Sequence, residues 1–512
     1  MSPIHQTIVT SEQMAAIESR VFAAGMPVAA LMEKVAGLVA RRIQVLYPVA
    51  QFRRVGVIVG PGHNGGDALV VARELGFQGY QVQIYQPLER LKELTQCHAN
   101  YVASLGIPWV EQVETLADCD VVVDGLFGFG LTRPLEGAIA TAVEQINQFS
   151  CPVVSIDLPS GLHTDTGEVL GTAICATHTL CLGLWKRAFF QDDALESIGT
   201  AELVDFNLPL ADIQAVMGES PDLQRMTAEG AIAALPLPRK ASTHKYKQGH
   251  LLLVCGSRPY NGAAILTALA ARASGVGMLS VAVPEAIKPL VVSQVPDALV
   301  VGCPETESGA IAQFPDEVDL SKFDAIACGP GLTTDATDIV KQTLESDRPL
   351  VLDADGLNLL AKLGVAVLKS RQSPTILTPH SGEFKRLFPE LVEATSDRLT
   401  LVQRAAQTSG AIVLLKGARV AIAHPDGRVW VNPDSTPALA RGGSGDILTG
   451  LIGGLLAQGI RHSITPEAIV QAATWWHAQA GIYAAQERTE MGVDAIALTH
   501  YLIPTLKQMG YC

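Results

Sequence analysis

Apolar runs that end in glycine-containing loops carry the residues able to do chemistry in this 512-residue chain. The first loop is Gly60-Pro-Gly-His-Asn-Gly-Gly-Asp67, between the run at 55–59 and a helical stretch. It contains GxGxxG at Gly60, Gly62 and Gly65, which in a dinucleotide site admits a pyrophosphate to a helix N-terminus. The run at 81–85 continues as Gln86-Pro87, so the acidic residue that would hold a ribose hydroxyl is absent. A tight strand–helix turn is the plain alternative. Two more loops share the pattern: Asp124 leads into Gly125-Leu-Phe-Gly-Phe-Gly-Leu-Thr-Arg-Pro134, and Asp157 into Leu-Pro-Ser-Gly161. Ligands of open α/β sheets sit beyond the carboxyl ends of strands, where Asn64, Asp124 and Ser160 can converge. Their amide, carboxylate and hydroxyl oxygens suit a hard or weakly hydrated cation better than zinc. Asp157 is the candidate acid/base, since a carboxylate in a dry pocket can be raised toward neutrality. Pure hydrogen bonding is its alternative role.

A second group of loops lies further on. Arg441-Gly-Gly-Ser-Gly-Asp446 opens a long apolar helix, and its free backbone N–H groups make an anion hole suited to a phosphate. Asp446 behind it is placed to accept a proton; a favourable first-turn charge is the alternative. Lys416-Gly-Ala-Arg-Val420 ends a strand and suits a nucleotide phosphate, although alone it reads as a hairpin turn. Cys328-Gly-Pro-Gly331 and Thr378-Pro-His-Ser-Gly-Glu383 are further strand-end loops. No GxxxxGK[ST] occurs, which excludes a P-loop enzyme.

Parallel strands must hold these loops. Thr10-Ser-Glu-Gln13 predicts a capped helix, and Pro27 a second one. Strands are expected at 55–59, 81–85, 120–123 and 152–156. They are expected again at 250–255, 278–283, 324–328, 349–352, 375–377 and 411–415, with closing helices at 443–458 and 466–486. Strand–helix alternation fades near 207–221, and the basic run at 239–247 reads as a solvated linker, with lining a phosphate entry as the alternative. The expected domains are therefore 1–218 and 219–512. The charge of −14 argues against nonspecific nucleic-acid binding. No apolar stretch reaches the ~20 residues of a membrane span. Nine dispersed cysteines without CxxC predict reduced thiols in a cytoplasmic protein.

The first three loops, in this order, resemble the N-terminal domain of the bifunctional NAD(P)H-hydrate repair enzymes over roughly residues 10–215. The resemblance implies a Rossmann-like three-layer αβα epimerase domain that interconverts R- and S-NAD(P)H hydrate. It implies potassium on Asn64, Asp124 and Ser160. It also implies substrate contacts at His63, Asn64, Gly65, Gly66, Asp67, Gly128, Phe129, Gly130, Leu131, Thr132, Arg133, Pro134 and Asp157. The later loops, with Gly256-Ser257 and Tyr260-Asn-Gly-Ala263, resemble the ribokinase-like fold and, more closely, the family's ADP-dependent dehydratase, over about 225–505. That implies substrate contacts at Ala263, Gly331, His380 and Asp446. Nucleotide contacts would be Lys416, Gly417, Ala418, Arg419, Val420 and Gly445, with magnesium accompanying ADP. Asp446 would deprotonate the hydrate hydroxyl. NADH hydrate, NADPH hydrate and ADP/AMP are the expected partners, with no nucleic acid or membrane, in a homo-oligomer. A vitamin or sugar kinase fused to a non-catalytic nucleotide-binding domain is the alternative.

Overall fold

Thr10 caps helix α1 (Ser11–Ala23): its hydroxyl accepts from the Gln13 amide at 3.1 Å, and the Gln13 side chain accepts from the Thr10 amide at 2.8 Å. This reciprocal box is the one the sequence predicts. Pro27 precedes helix α2 (Val28–Leu46), whose inward stripe runs through Leu31, Met32, Val35, Val39 and Ile43. The computed structural model describes residues 3–510. The chain divides into two units between Leu223 and Gln224.

The first unit alternates strand and helix after α2: β1 (Arg54–Val59), α3 (His63–Phe77), β2 (Gln81–Tyr85), α4 (Glu93–Ser104), β3 (Trp109–Val110), β4 (Val121–Gly125), α5 (Gly137–Ile146), β5 (Val153–Ile156), β6 (His178–Leu182) and β7 (Thr200–Val204). They form a parallel sheet in the order β3-β2-β1-β4-β5-β6-β7. The strand pleat explains its three layers. Val55, Val57, Val121 and Val123 pack with the helices α1 to α4. Ile58 and Val122, pointing the other way, pack with Ala142, Val143 and Ile146 of α5.

The second unit has a ten-stranded sheet that starts at the division with β8 (Leu223–Arg225). Its parallel strands are β9 (His250–Val254), β10 (Met278–Pro284), β11 (Leu299–Cys303), β12 (Ala325–Cys328), β13 (Leu350–Leu352), β14 (Thr375–Leu377) and β15 (Ile412–Leu415). β16 (Ala421–Ala423) and β17 (Val429–Val431) return antiparallel. The spatial order is β8-β17-β16-β15-β14-β13-β12-β9-β10-β11. Leu251, Leu253, Val281, Ala325 and Val351 pack against α6 (Asn261–Ala273), α9 (Ser444–His462), α10 (Pro466–Arg488) and α11 (Ala495–Gln508). The alternate residues Leu252, Val254, Ile326 and Leu350 are also completely buried. Between these lie α7 (Asp355–Leu363) and α8 (Ser381–Leu387).

The basic run at 239–247 is not a free linker. Arg239 donates to the Gly275 carbonyl and to Gln458 of α9, which ties the run to the second unit, while Lys240, Lys245 and Lys247 stay exposed. The eight cysteines among the described residues are free thiols. Among those residues, no helix is long and apolar enough to cross a membrane.

Candidate active sites

In the first unit, strand register delivers three loops to one sheet edge. Ile58 of β1 lies opposite Asp124 of β4, and Asp124 opposite Ser155 of β5. Two glycines of the first loop are required by close packing. A Cβ on Gly60 would stand 1.7 Å from the Leu126 carbonyl oxygen, and one on Gly65 would stand 1.9 Å from that of Gly60. Gly62, the N-cap of α3, faces open space. The motif thus builds the turn and leaves the helix start accessible.

The other two loops clasp each other. Phe127 donates its amide to Ser160 Oγ at 2.9 Å, Phe129 to Asp157 Oδ2 at 2.9 Å, and Gly130 to Thr164 Oγ1 at 2.9 Å. A cavity of about 460 Å³ opens here. His63, Asn64, Asp67, Gly128, Phe129, Gly130, Leu131, Thr132, Arg133 and Asp157 line it. Gly65 and Gly66 are buried outside the lining, and Pro134 is exposed outside it. Burial, then Lys92, lowers the His63 imidazole below its usual range, so it is neutral at pH 7.

Asp124 and Ser160 are buried off the cavity wall. The Asp124 carboxylate accepts the Ser160 hydroxyl at 2.6 Å, the Ser155 hydroxyl at 2.8 Å and the Ser160 amide at 3.0 Å. Burial outweighs these donors and raises the carboxyl. Ser160 Oγ also lies 3.1 Å from the Phe127 carbonyl oxygen, so oxygen atoms of three residues gather there. Asn64 Nδ2 is buried without a hydrogen-bond partner.

Sequence reasoning missed three charged groups of this cavity, Glu18, Lys92 and Lys186. Lys186 has no exposed side-chain surface. It donates to Asp157 Oδ1 at 2.5 Å and to the Leu182 carbonyl at 2.6 Å. Burial opposes its charge most strongly, but Asp157, Cys181 and Glu18 together outweigh burial and hold the ammonium above its usual range. The only sequence signal was a lysine within the apolar stretch 180–190; Glu18 gave none. Asp157 itself has a φ of 67°, a left-handed conformation rare outside glycine that gathers at functional sites.

In the second unit, the glycine loop ends at Gly443, φ 91°, the N-cap of α9. A Cβ on Gly445 would lie 3.3 Å from Lys416 Nζ. Lys416 pairs with Asp353 Oδ1 at 2.7 Å, and Thr449 Oγ1 donates to Asp353 Oδ2 at 2.7 Å. Burial works against the Lys416 charge, yet Asp353 and Glu383 raise it above its usual range. Asp446 is pushed up to about 7, by burial first and then by Asp353, with Lys416 opposing.

The Lys416 amide donates to the Pro379 carbonyl at 2.9 Å, bringing the His380 loop alongside. His380 Nδ1 accepts from the Gly382 amide at 2.9 Å and caps α8, while its ring stays half exposed. Gly331 packs against Ala263 and Tyr260. Gly417 and Ala418 are exposed in the β15–β16 turn with Arg419 and Val420, so the loop expected to meet a nucleotide is also a hairpin turn. Asp353 was missed although it ends a strand as Asp124 and Asp157 do.

A family model described as NAD(P)H-hydrate dehydratase matches residues 251–504. One described as YjeF-related protein N-terminus matches residues 28–188. The chain is similar to a bifunctional NAD(P)H-hydrate repair enzyme of Synechocystis, 56% identical over 99% of this chain and 96% of the relative. It is 54% identical to the one of Thermosynechococcus vestitus, over 99% of each. An ADP/ATP-dependent NAD(P)H-hydrate dehydratase from Bacillus subtilis, co-crystallised with ATP/Mg2+, is 34% identical with a TM-score of 0.47. That likeness covers 56% of this chain and 98% of that one.

Proposed function

Because the chain belongs to the bifunctional NAD(P)H-hydrate repair enzymes, we propose that its two units divide one repair between them. The first unit interconverts R- and S-hydrate in the 460 Å³ cavity, and the second dehydrates the S form with ADP, giving AMP and phosphate. Asp446 beside Lys416 at the start of α9 is the observation that carries the reading. A carboxyl near 7 is matched to taking a proton from the hydrate hydroxyl at neutral pH. The freed oxygen attacks the transferring phosphoryl group, whose charge meets the Lys416 ammonium and the amides around Gly445. Phosphate then leaves with the C–O electron pair while the neighbouring ring carbon gives up a proton to solvent, and the C–H electrons restore the ring double bond. Ala263, Gly331 and His380 contact the hydrate; Gly417, Ala418, Arg419 and Val420 contact the nucleotide.

Magnesium on the nucleotide phosphates would supply charge neutralisation, and Asp355, close enough to act on Asp446, is an oxygen donor of the class it takes. Potassium fits Asn64, Asp124 and Ser160, whose side chains offer oxygen donors where oxygens of Asp124, Ser160 and Phe127 already crowd, and would hold the two loops together. Purified full-length chain given S-hydrate, ADP and magnesium is expected to restore the absorbance of reduced nicotinamide. Recovery no faster than without protein would refute the reading.

A further inference from the structure

Asp157 is poorly suited to move a proton. One of its oxygens is taken by the Phe129 amide, the other by Lys186 at 2.5 Å and the Leu182 amide at 3.3 Å. Lys186 is completely buried and spends a second N–H on a carbonyl. This is a fixed ion pair rather than a free acid. Glu18 differs. It projects from α1 into the same cavity, beside Phe22 and the apolar α2 residues Leu31, Met32 and Val35. No hydrogen bond contributes to its titration; only burial and the charges of Lys186 and Asp157 act on it.

We infer that Glu18 is the catalytic proton-transfer residue of the epimerisation, and that Asp157 with Lys186 positions the hydrate. This rests on the epimerase reading of the first unit. A reduced nicotinamide is an enamine, so hydration places the hydroxyl on the carbon bonded to the ring nitrogen. The Glu18 carboxyl gives its proton to that hydroxyl. The C–O bond breaks with its electron pair on the departing water, and the nitrogen lone pair forms C=N⁺. Water adds to the opposite face, its electrons forming the new C–O bond while the C=N⁺ pair returns to nitrogen. The surplus proton goes back to Glu18. Nothing is consumed, and the carbon is inverted. The Glu18 carboxylate left by the first transfer offsets the transient cation.

The surroundings of Glu18 match this role. Burial first, opposed by Lys186 and supported by Asp157, pushes it up to about 7. Asp67, which shares the cavity, is raised well above its usual range by burial first and then by Asp157 and Glu18. His63, Lys92 and Arg133 are the other titratable groups of the cavity wall.

The test uses the full-length chain with R-enriched hydrate, excess ADP and magnesium, so that recovery of reduced nicotinamide reports epimerisation, with S-hydrate turnover as the reference rate. E18Q is expected to slow use of R-hydrate by ~10²–10⁴-fold and to abolish the change in rate around pH 7. E18D, which keeps a carboxyl, should retain that pH dependence at a reduced rate. R-hydrate use by E18Q within about threefold of wild type, after subtracting spontaneous interconversion, would overturn the assignment. A wild-type chain no faster than the spontaneous reaction would overturn the epimerase reading and the role of Glu18 with it.

Discussion

Each unit carries a strand-end aspartate held by a lysine, with a second carboxyl nearby that sits near 7. In the first unit these are Asp157, Lys186 and Glu18; in the second, Asp353, Lys416 and Asp446. The settings differ. Lys186 is fully enclosed at the wall of a cavity lined by both apolar and charged residues, and its partner accepts two backbone amides as well. Lys416 keeps a fifth of its side chain exposed (21%), beside the bare amides of a glycine loop, and its partner accepts a threonine hydroxyl. An enclosed lysine can only orient and neutralise what shares its pocket. A lysine open at a helix start can meet a phosphate that arrives and leaves. On the proposed reading, the shared pair plus free carboxyl serves ring chemistry in one place and phosphoryl chemistry in the other.

The largest expected effect that tests this contrast is at Asp446. D446N should lower dehydration of S-hydrate by ~10²–10⁴-fold with melting nearly unchanged. In wild type, this rate should fall as pH drops below about 7, because the base must be ionised to take the proton. A pH-flat rate between 5.5 and 8.5, roughly, would remove Asp446 as the base.

The two lysines come next. K186M leaves Asp157 buried without its cation and is expected to cost about 3–5 kcal/mol in denaturant unfolding. K416M should cost less, since water reaches that site and Thr449 still holds Asp353, yet it should impair nucleotide use more. Equal stability losses would erase the difference between the pairs.

Smaller still, G445A should raise the KM for ADP by about tenfold, because the added methyl crowds Lys416 Nζ where a phosphate would lie. T10A is expected to cost ~1 kcal/mol through the lost cap of α1, with a modest effect on R-hydrate use because Glu18 rides on that helix.

The sequence by itself determined the parallel αβα layers and the glycine loops. Strand runs, caps and turns are local patterns, and the strands at 81–85, 250–254 and 375–377 are where alternation placed them. It did not reveal β6, an inner strand that opens on the polar His178-Thr179, or β7, whose residues Thr200–Val204 lie partly exposed at the sheet edge. The loop residues of both sites were legible for the same reason: a chemical group at a strand end sits in a recognisable local frame.

What only the tertiary structure decided is which charges meet. Lys186 reaches Asp157 across 29 residues, Lys416 reaches Asp353 across 63, and Thr449 reaches the same Asp353 across 96. Glu18 comes to Lys186 and Asp157 from a helix whose pattern reads as an ordinary amphipathic face. Proton affinity depends on burial and on neighbouring charges, and both are products of packing between segments far apart in the chain. Composition and spacing therefore named the loops, and packing chose which carboxyls are fixed as ions and which are free to exchange a proton.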